Sequence, residues 1–158
     1  MKYDLYSYDE NLVLRVPPLL IAAIYWSIHH VFLLALGASS NSGEVFGLVL
    51  DYSGSALFLI SDMPGALVLF ARINRTPEAG VRVRWIWRHG LILLVFGVSM
   101  SAAATSYYYQ KEIINLESPG FFLLIADLGI VIYLLFSRRV RDVFADFPQA
   151  ETVSEERS

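Results

Sequence analysis

Two aspartates and two adjacent histidines, Asp62, Asp127, His29 and His30, stand inside stretches that are otherwise almost wholly apolar. A carboxyl group at the centre of a membrane-spanning helix costs about 2.5–3.5 kcal/mol, so groups at such depth are paired, protonated or put to use. One use is a proton or cation relay, with Asp62 and Asp127 as sites and a histidine as shuttle. The other reading is a buried polar knot that fixes helix packing, or a contact for another membrane subunit. No second feature of the sequence supports transport, so the structural or partner reading is favoured. Neighbouring histidines on one helix point about 100° apart, which lets at most one of them join the cluster. A relay further requires the two carboxyl groups to meet directly, through a histidine, or through one water.

Other chemistry finds little footing. The sequence holds three histidines, His29, His30 and His89, and no cysteine. Disulfides, thiolate metal sites and cysteine nucleophiles are therefore excluded. Two axial haem ligands must share one depth. His29 lies about 18 Å along its helix from Pro17, whereas His89 sits at the same surface as Pro17, so the pair cannot hold one iron. A structural zinc site is equally poorly supported. Ser99 and Ser101 lack a visible base and oxyanion partner, and no phosphate loop or dinucleotide fingerprint occurs. No catalytic, cofactor-binding or metal residue is assigned, and the chain is read as a non-enzyme. The formal net charge of −3, with no basic stripe interleaved with aromatics, excludes a nucleic-acid partner.

The elements that must position these residues follow from hydropathy. The chain has 158 residues, 56% of them hydrophobic and 17% charged, with mean hydropathy +0.51. A water-soluble domain of this size cannot hide so much apolar surface, and a bilayer supplies the missing solvent. Four apolar stretches appear, at 17–36, 53–71, 90–109 and 119–136. Pro17-Pro18 and Ser118-Pro119 mark helix starts, because the first turn has no intrahelical N–H bond to lose. The run from Gly37 to Gly43 is a clear break. Pro64 predicts a kink in the second helix, with a re-entrant pair of half-helices as the alternative. Residues 45–50 are read as an interfacial turn or an extension of that span. Thr76-Pro77-Glu78 predicts a short helix leading into the third span. Trp85 and Trp87 at one end, and Tyr107, Tyr108 and Tyr109 at the other, suit interface belts. Gly97, Ser101 and Thr105, with Ser99 and Ala103 on the next row, would let helices approach closely.

Orientation comes from the basic residues. With four spans, one side holds Lys2, Arg15, Arg72, Arg75, Arg82, Arg84, Arg88, Arg138, Arg139, Arg141 and Arg157, and the other holds Lys111. That asymmetry places both termini and the middle loop in the cytoplasm. The leader, residues 1–16, is slightly acidic where a cleaved signal would be basic, so the first stretch is read as a retained helix. Residues 137–158 form a polar tail, acidic from Asp142 onward and mobile unless a partner orders it. Arg138, Arg139 and Arg141 directly follow the last span and are candidates for anchoring to lipid head groups.

The opening Tyr8-Asp9-Glu10-Asn11-Leu12-Val13-Leu14-Arg15-Val16-Pro17-Pro18 resembles that of the YfeZ-like family of small bacterial inner-membrane proteins. Met63-Pro64-Gly65-Ala66-Leu67 and Trp87-Arg88-His89-Gly90 resemble it as well. His29-His30 departs from the family's more ordinary first helix. The resemblance implies residence in a bacterial inner membrane and no known activity. The expectation is thus an all-α membrane protein of four transmembrane helices, both ends cytoplasmic, serving as an accessory or scaffold subunit. Its partners would be the bilayer and another membrane protein, or further copies of itself. The rival is a small proton- or ion-coupled transporter or channel-like homo-oligomer using Asp62 and Asp127.

Overall fold

The computed structural model describes residues 3–9, 13–39, 56–110 and 119–148. Among them are seven α-helices, a short 3-10 turn at Leu5–Ser7 and one isolated bridge, Tyr8 to Leu14. The helices are α1 (Pro18–Trp26), α2 (His29–Ser39), α3 (Ala56–Ile73), α4 (Val81–Arg88), α5 (Gly90–Gln110), α6 (Pro119–Phe136) and α7 (Arg138–Ala145).

Helices α3 and α5 form the central pair, with α1, α2 and α4 against α3, and α6 and α7 against α5. Gly97 permits the central contact. A Cβ there would lie 2.8 Å from the Ser61 carbonyl oxygen, so only glycine lets α5 seat on α3 at this height. Along α5 the buried positions are Gly90, Leu94, Gly97, Val98, Ser101, Ala102, Ala104 and Thr105, while Ser99 and Ala103 are exposed. The small-residue row thus packs within the chain.

The molecule is inside out by the standards of a water-soluble fold. His30, Ser61, Asp62, Ser101, Thr105 and Asp127 are buried, while Phe122, Ile125, Leu128, Ile132 and Leu135 form an exposed apolar face on α6. That distribution suits an apolar solvent. Ala56–Ile73 and Gly90–Tyr107 are each long and apolar enough to cross a membrane. Two more candidates arise if each bent pair counts as one span: Pro18–Trp26 with His29–Ser39, and Phe121–Phe136 with Arg138–Ala145.

The first stretch, the short helix and Trp87 need correction, and the re-entrant alternative falls away. The first stretch is not one rod: α1 and α2 meet at 63° across Ser27 and Ile28, and α2 continues through Gly37 to Ser39. The second stretch, by contrast, is helical without interruption from Ala56 to Ile73, Pro64 included, and no re-entrant pair forms there. The short helix starts at Val81, with Gly80 as its cap and Thr76 in a separate turn whose carbonyl accepts the Ala79 N–H. Trp87 is no belt residue. It is fully buried and its indole donates to the Val143 and Asp146 carbonyls, whereas Trp85 is exposed. The expected turn at residues 45–50 and the start of the second span at 53 lie outside the described residues.

The tail folds back as far as Pro148. Ser137 caps α7 by accepting the Val140 N–H, and Val140, Val143 and Phe144 are buried against the bundle. Asp142 accepts the Tyr3 hydroxyl and Asp146 accepts the Leu14 N–H. Arg75 closes this knot of leader, middle segment and tail. Its guanidinium donates to the Leu14 and Asp146 carbonyls and lies 4.7 Å from the Trp87 ring centroid. Burial lowers the Arg75 pKa from its ordinary value, against the pull of Asp9 and Asp146, yet a guanidinium keeps its charge in proteins.

Candidate functional site

The break between α1 and α2 organises the polar residues. An interrupted helix strands carbonyls on one side and N–H groups on the other, and lipid offers neither a partner. Here side chains supply both. The His29 imidazole donates from Nδ1 to the Trp26 carbonyl at 2.7 Å, taking the place of the N–H four residues on. Asp62, from α3, accepts the Val31 N–H at Oδ2, 2.9 Å, and meets His30 Nδ1 at Oδ1, 2.8 Å. Val31 is the third residue of α2, so Asp62 caps that helix from a neighbouring element and places its carboxyl at the positive end of the helix dipole.

Ser27 and Gly65 make the junction compact. The Ser27 hydroxyl donates to the Ile24 carbonyl at 2.7 Å, a local bond that competes with continued helix. A Cβ on Gly65 would fall 2.1 Å from Ser27 Oγ and 2.9 Å from the Ser27 carbonyl oxygen. The break therefore sits directly on α3, one turn from Asp62.

Asp127 belongs to a second group. Its Oδ1 accepts the Trp26 indole N–H at 2.7 Å and its Oδ2 accepts the Ser101 hydroxyl at 2.8 Å, joining α6 to α1 and α5. Packed rings connect the two groups. The His30 ring lies between Phe58, 4.5 Å away, and His29, 3.8 Å away, and His29 stacks on Trp26 at 5.0 Å. All four residues singled out by their depth thus share one region, and both histidines take part. The limit of one histidine assumed a regular helix, which the break removes. The link between the carboxyl groups runs through His30, His29 and Trp26, longer than the single bridge a relay was expected to need.

Trp26, Ser27, Ser101 and Gly65 were not among the candidates. Trp26 had a readable signal, since an indole N–H in an apolar stretch must find an acceptor. Trp26 and Asp127 also lie equally far from Pro17 and Phe136, about 13 Å along their helices. Arg138 and Arg141 are exposed on α7, and Arg139 lies 5.9 Å from the Tyr3 ring centroid. Among the described residues no cluster of histidines and carboxylates has a metal-holding arrangement.

The fold and site define an all-helical protein with apolar spans compatible with a membrane and a polar network among its buried side chains. The chain matches the family described as "Protein of unknown function (DUF2919)" over residues 3–146, and it belongs to that family. No curated protein and no solved structure matches it.

Proposed function

We propose that this chain is a multi-pass protein of a bacterial inner membrane, crossing four times with both ends in the cytoplasm, and that it serves as a non-enzymatic accessory or scaffold subunit. In this reading α1 and α2 form one broken span, α3, α5 and α6 form the others, and α7 lies at the surface. The observation that carries the role is how Asp62 and Asp127 are used. Each carboxyl group accepts two donors fixed by the fold, from α2 in one case and from α1 and α5 in the other. Their hydrogen-bonding capacity goes to holding helices together, as expected of a structural knot.

A groove between α1 and α6 supports a membrane partner. It encloses about 330 Å3 and is lined largely by small or apolar residues, among them Ala22, Ala23, Ala126 and Gly129. A Cβ on Gly129 would meet nothing within 4 Å, so the face is open enough for close approach of another helix. Purification from native membranes in mild detergent is expected to bring down a partner in fixed stoichiometry. Recovery of a clean monomer or homo-oligomer would refute the accessory role.

One observation favours a second reading, a proton- or ion-coupled homo-oligomer. His29 Nε2 is buried without a hydrogen-bond partner, and since Nδ1 faces a carbonyl, Nε2 carries the lone pair of the neutral ring. A proton acceptor at a broken helix is a feature of transport sites. That reading requires flux to depend on both aspartates.

A further inference from the structure

A cavity of about 400 Å3 opens where α1 begins and α3 ends, lined by Asp9, Arg15, Val16, Ile21, Arg72, Ile73 and Arg75. Three guanidinium groups against one carboxylate leave it a net charge of about +2. Two of the three are uncommitted: Arg15 and Arg72 enter no ion pair among the described residues. Arg75 is pinned by its Nη atoms to the Leu14 and Asp146 carbonyls, and its Nε is buried with no hydrogen-bond partner. Asp9 is turned toward its own chain, accepting the Val13 N–H at 3.0 Å. The remaining lining, Val16, Ile21 and Ile73, is apolar.

We infer that this cavity binds the phosphate-bearing head group of an anionic glycerophospholipid. Arg15 and Arg72 pair with the phosphate while an acyl chain runs along Ile21 and Ile73. The chemistry required is that of a phosphate monoanion or diester, for which the guanidinium fork is the matching donor. The position selects the source. Both helices leave their apolar segments at this level, so a head group sits here with its tails already beside the bundle. This rests on the membrane-spanning reading and is independent of whether a protein partner exists. It differs from the Arg138-Arg139-Arg141 cluster, which lines no part of this cavity. A bound head group would also bridge the leader to the end of α3, beside the knot that Arg75 closes.

The test uses the full chain, purified from membranes in mild detergent and washed free of lipid. Native mass spectrometry and thermal melting are followed while dioleoyl phosphatidylglycerol, dioleoyl phosphatidylethanolamine or inorganic phosphate is added. Wild type is expected to retain one phosphatidylglycerol per chain and to melt higher with it than with either other addition. At roughly fivefold per interfacial arginine, Arg15→Gln with Arg72→Gln should weaken phosphatidylglycerol about thirtyfold. Arg15→Lys with Arg72→Lys should recover most of the loss, and Arg138→Gln with Arg141→Gln should change it little. Should the double glutamine variant misfold, Arg15→Gln by itself alters an exposed side chain and should still cost about fivefold. Wild-type affinity in the glutamine variants, or equal stabilisation by the zwitterionic lipid, would overturn the inference. Stabilisation by inorganic phosphate equal to that by lipid would assign the cavity to a soluble phosphate and overturn the lipid reading.

Discussion

At the scale of the residue, the two aspartates differ in what they can lose. Asp127 faces a tryptophan, which can only donate, and a serine, which can do either. An asparagine there keeps both bonds by accepting from Trp26 and donating to Ser101, so Asp127→Asn should cost under about 1 kcal/mol. Asp62 faces the Val31 N–H, a fixed donor, and His30 Nδ1, which can accept only if the ring changes tautomer. Asp62→Asn should therefore destabilise by about 1–3 kcal/mol, through a weakened cap and a strained donor inside the bundle. Reversible unfolding in mixed micelles measures both. The opposite order would mean that the bonding pattern around the break is misread. The same two variants, reconstituted, decide between knot and relay: unchanged proton flux in folded protein removes the transport reading, and abolished flux establishes it.

At the scale of the element, the broken first span depends on α3 having no side chain at Gly65. Three contacts oppose a methyl group there, one to a hydroxyl that can rotate away and two to the Ser27 Cβ and carbonyl oxygen, which cannot. Gly65→Ala should lower stability by about 1–3 kcal/mol, the usual range for overpacking a fitted interior. Ser27→Ala in the same chain should recover only part of it. Gly129→Ala is the control, because its methyl group meets open space and alanine is the better helix former. It should be neutral or slightly stabilising. Thermal melting of the three variants in one detergent checks the ranking, and a Gly65→Ala protein as stable as Gly129→Ala would show that the break does not rest on α3. The start of α1 is local by contrast: Pro17 and Pro18 lose no bond at a helix start, and the Pro17 carbonyl accepts the Leu20 and Ile21 N–H groups.

At the scale of the whole molecule, leader, middle segment and tail meet at one end of the bundle through Arg75, Trp87 and Asp146. Segments that touch one another cannot lie on opposite sides of a bilayer, which agrees with the charge asymmetry of the sequence. The absence of native cysteine makes the topology directly measurable. In whole cells, Lys111→Cys should react with a membrane-impermeant thiol reagent, and Arg82→Cys should react only after the cytoplasmic face is opened. Labelling of position 82 from outside would invert the proposed orientation and the depth assigned to every polar residue.

Much of this architecture is local and so was legible in the residues themselves. Apolar runs long enough for hydrocarbon, prolines at helix starts and the grouping of arginines are each decided by solvent and backbone chemistry within a few residues. The helices α5 and α6 accordingly fall where hydropathy and Ser118-Pro119 place them, Ser118 itself lying outside the described residues. The break at Ser27 and Ile28 was not legible, because no proline or glycine marks it. The helix bends where His29 and Ser27 take up carbonyls of the broken turn, Asp62 arrives from 31 residues away to satisfy the Val31 N–H, and Gly65 leaves the space. The docking of α7 and the burial of Trp87 were hidden for the same reason. Polar groups stranded inside a bundle take whatever partner the packing brings within reach, and that pairing is a property of the assembled fold.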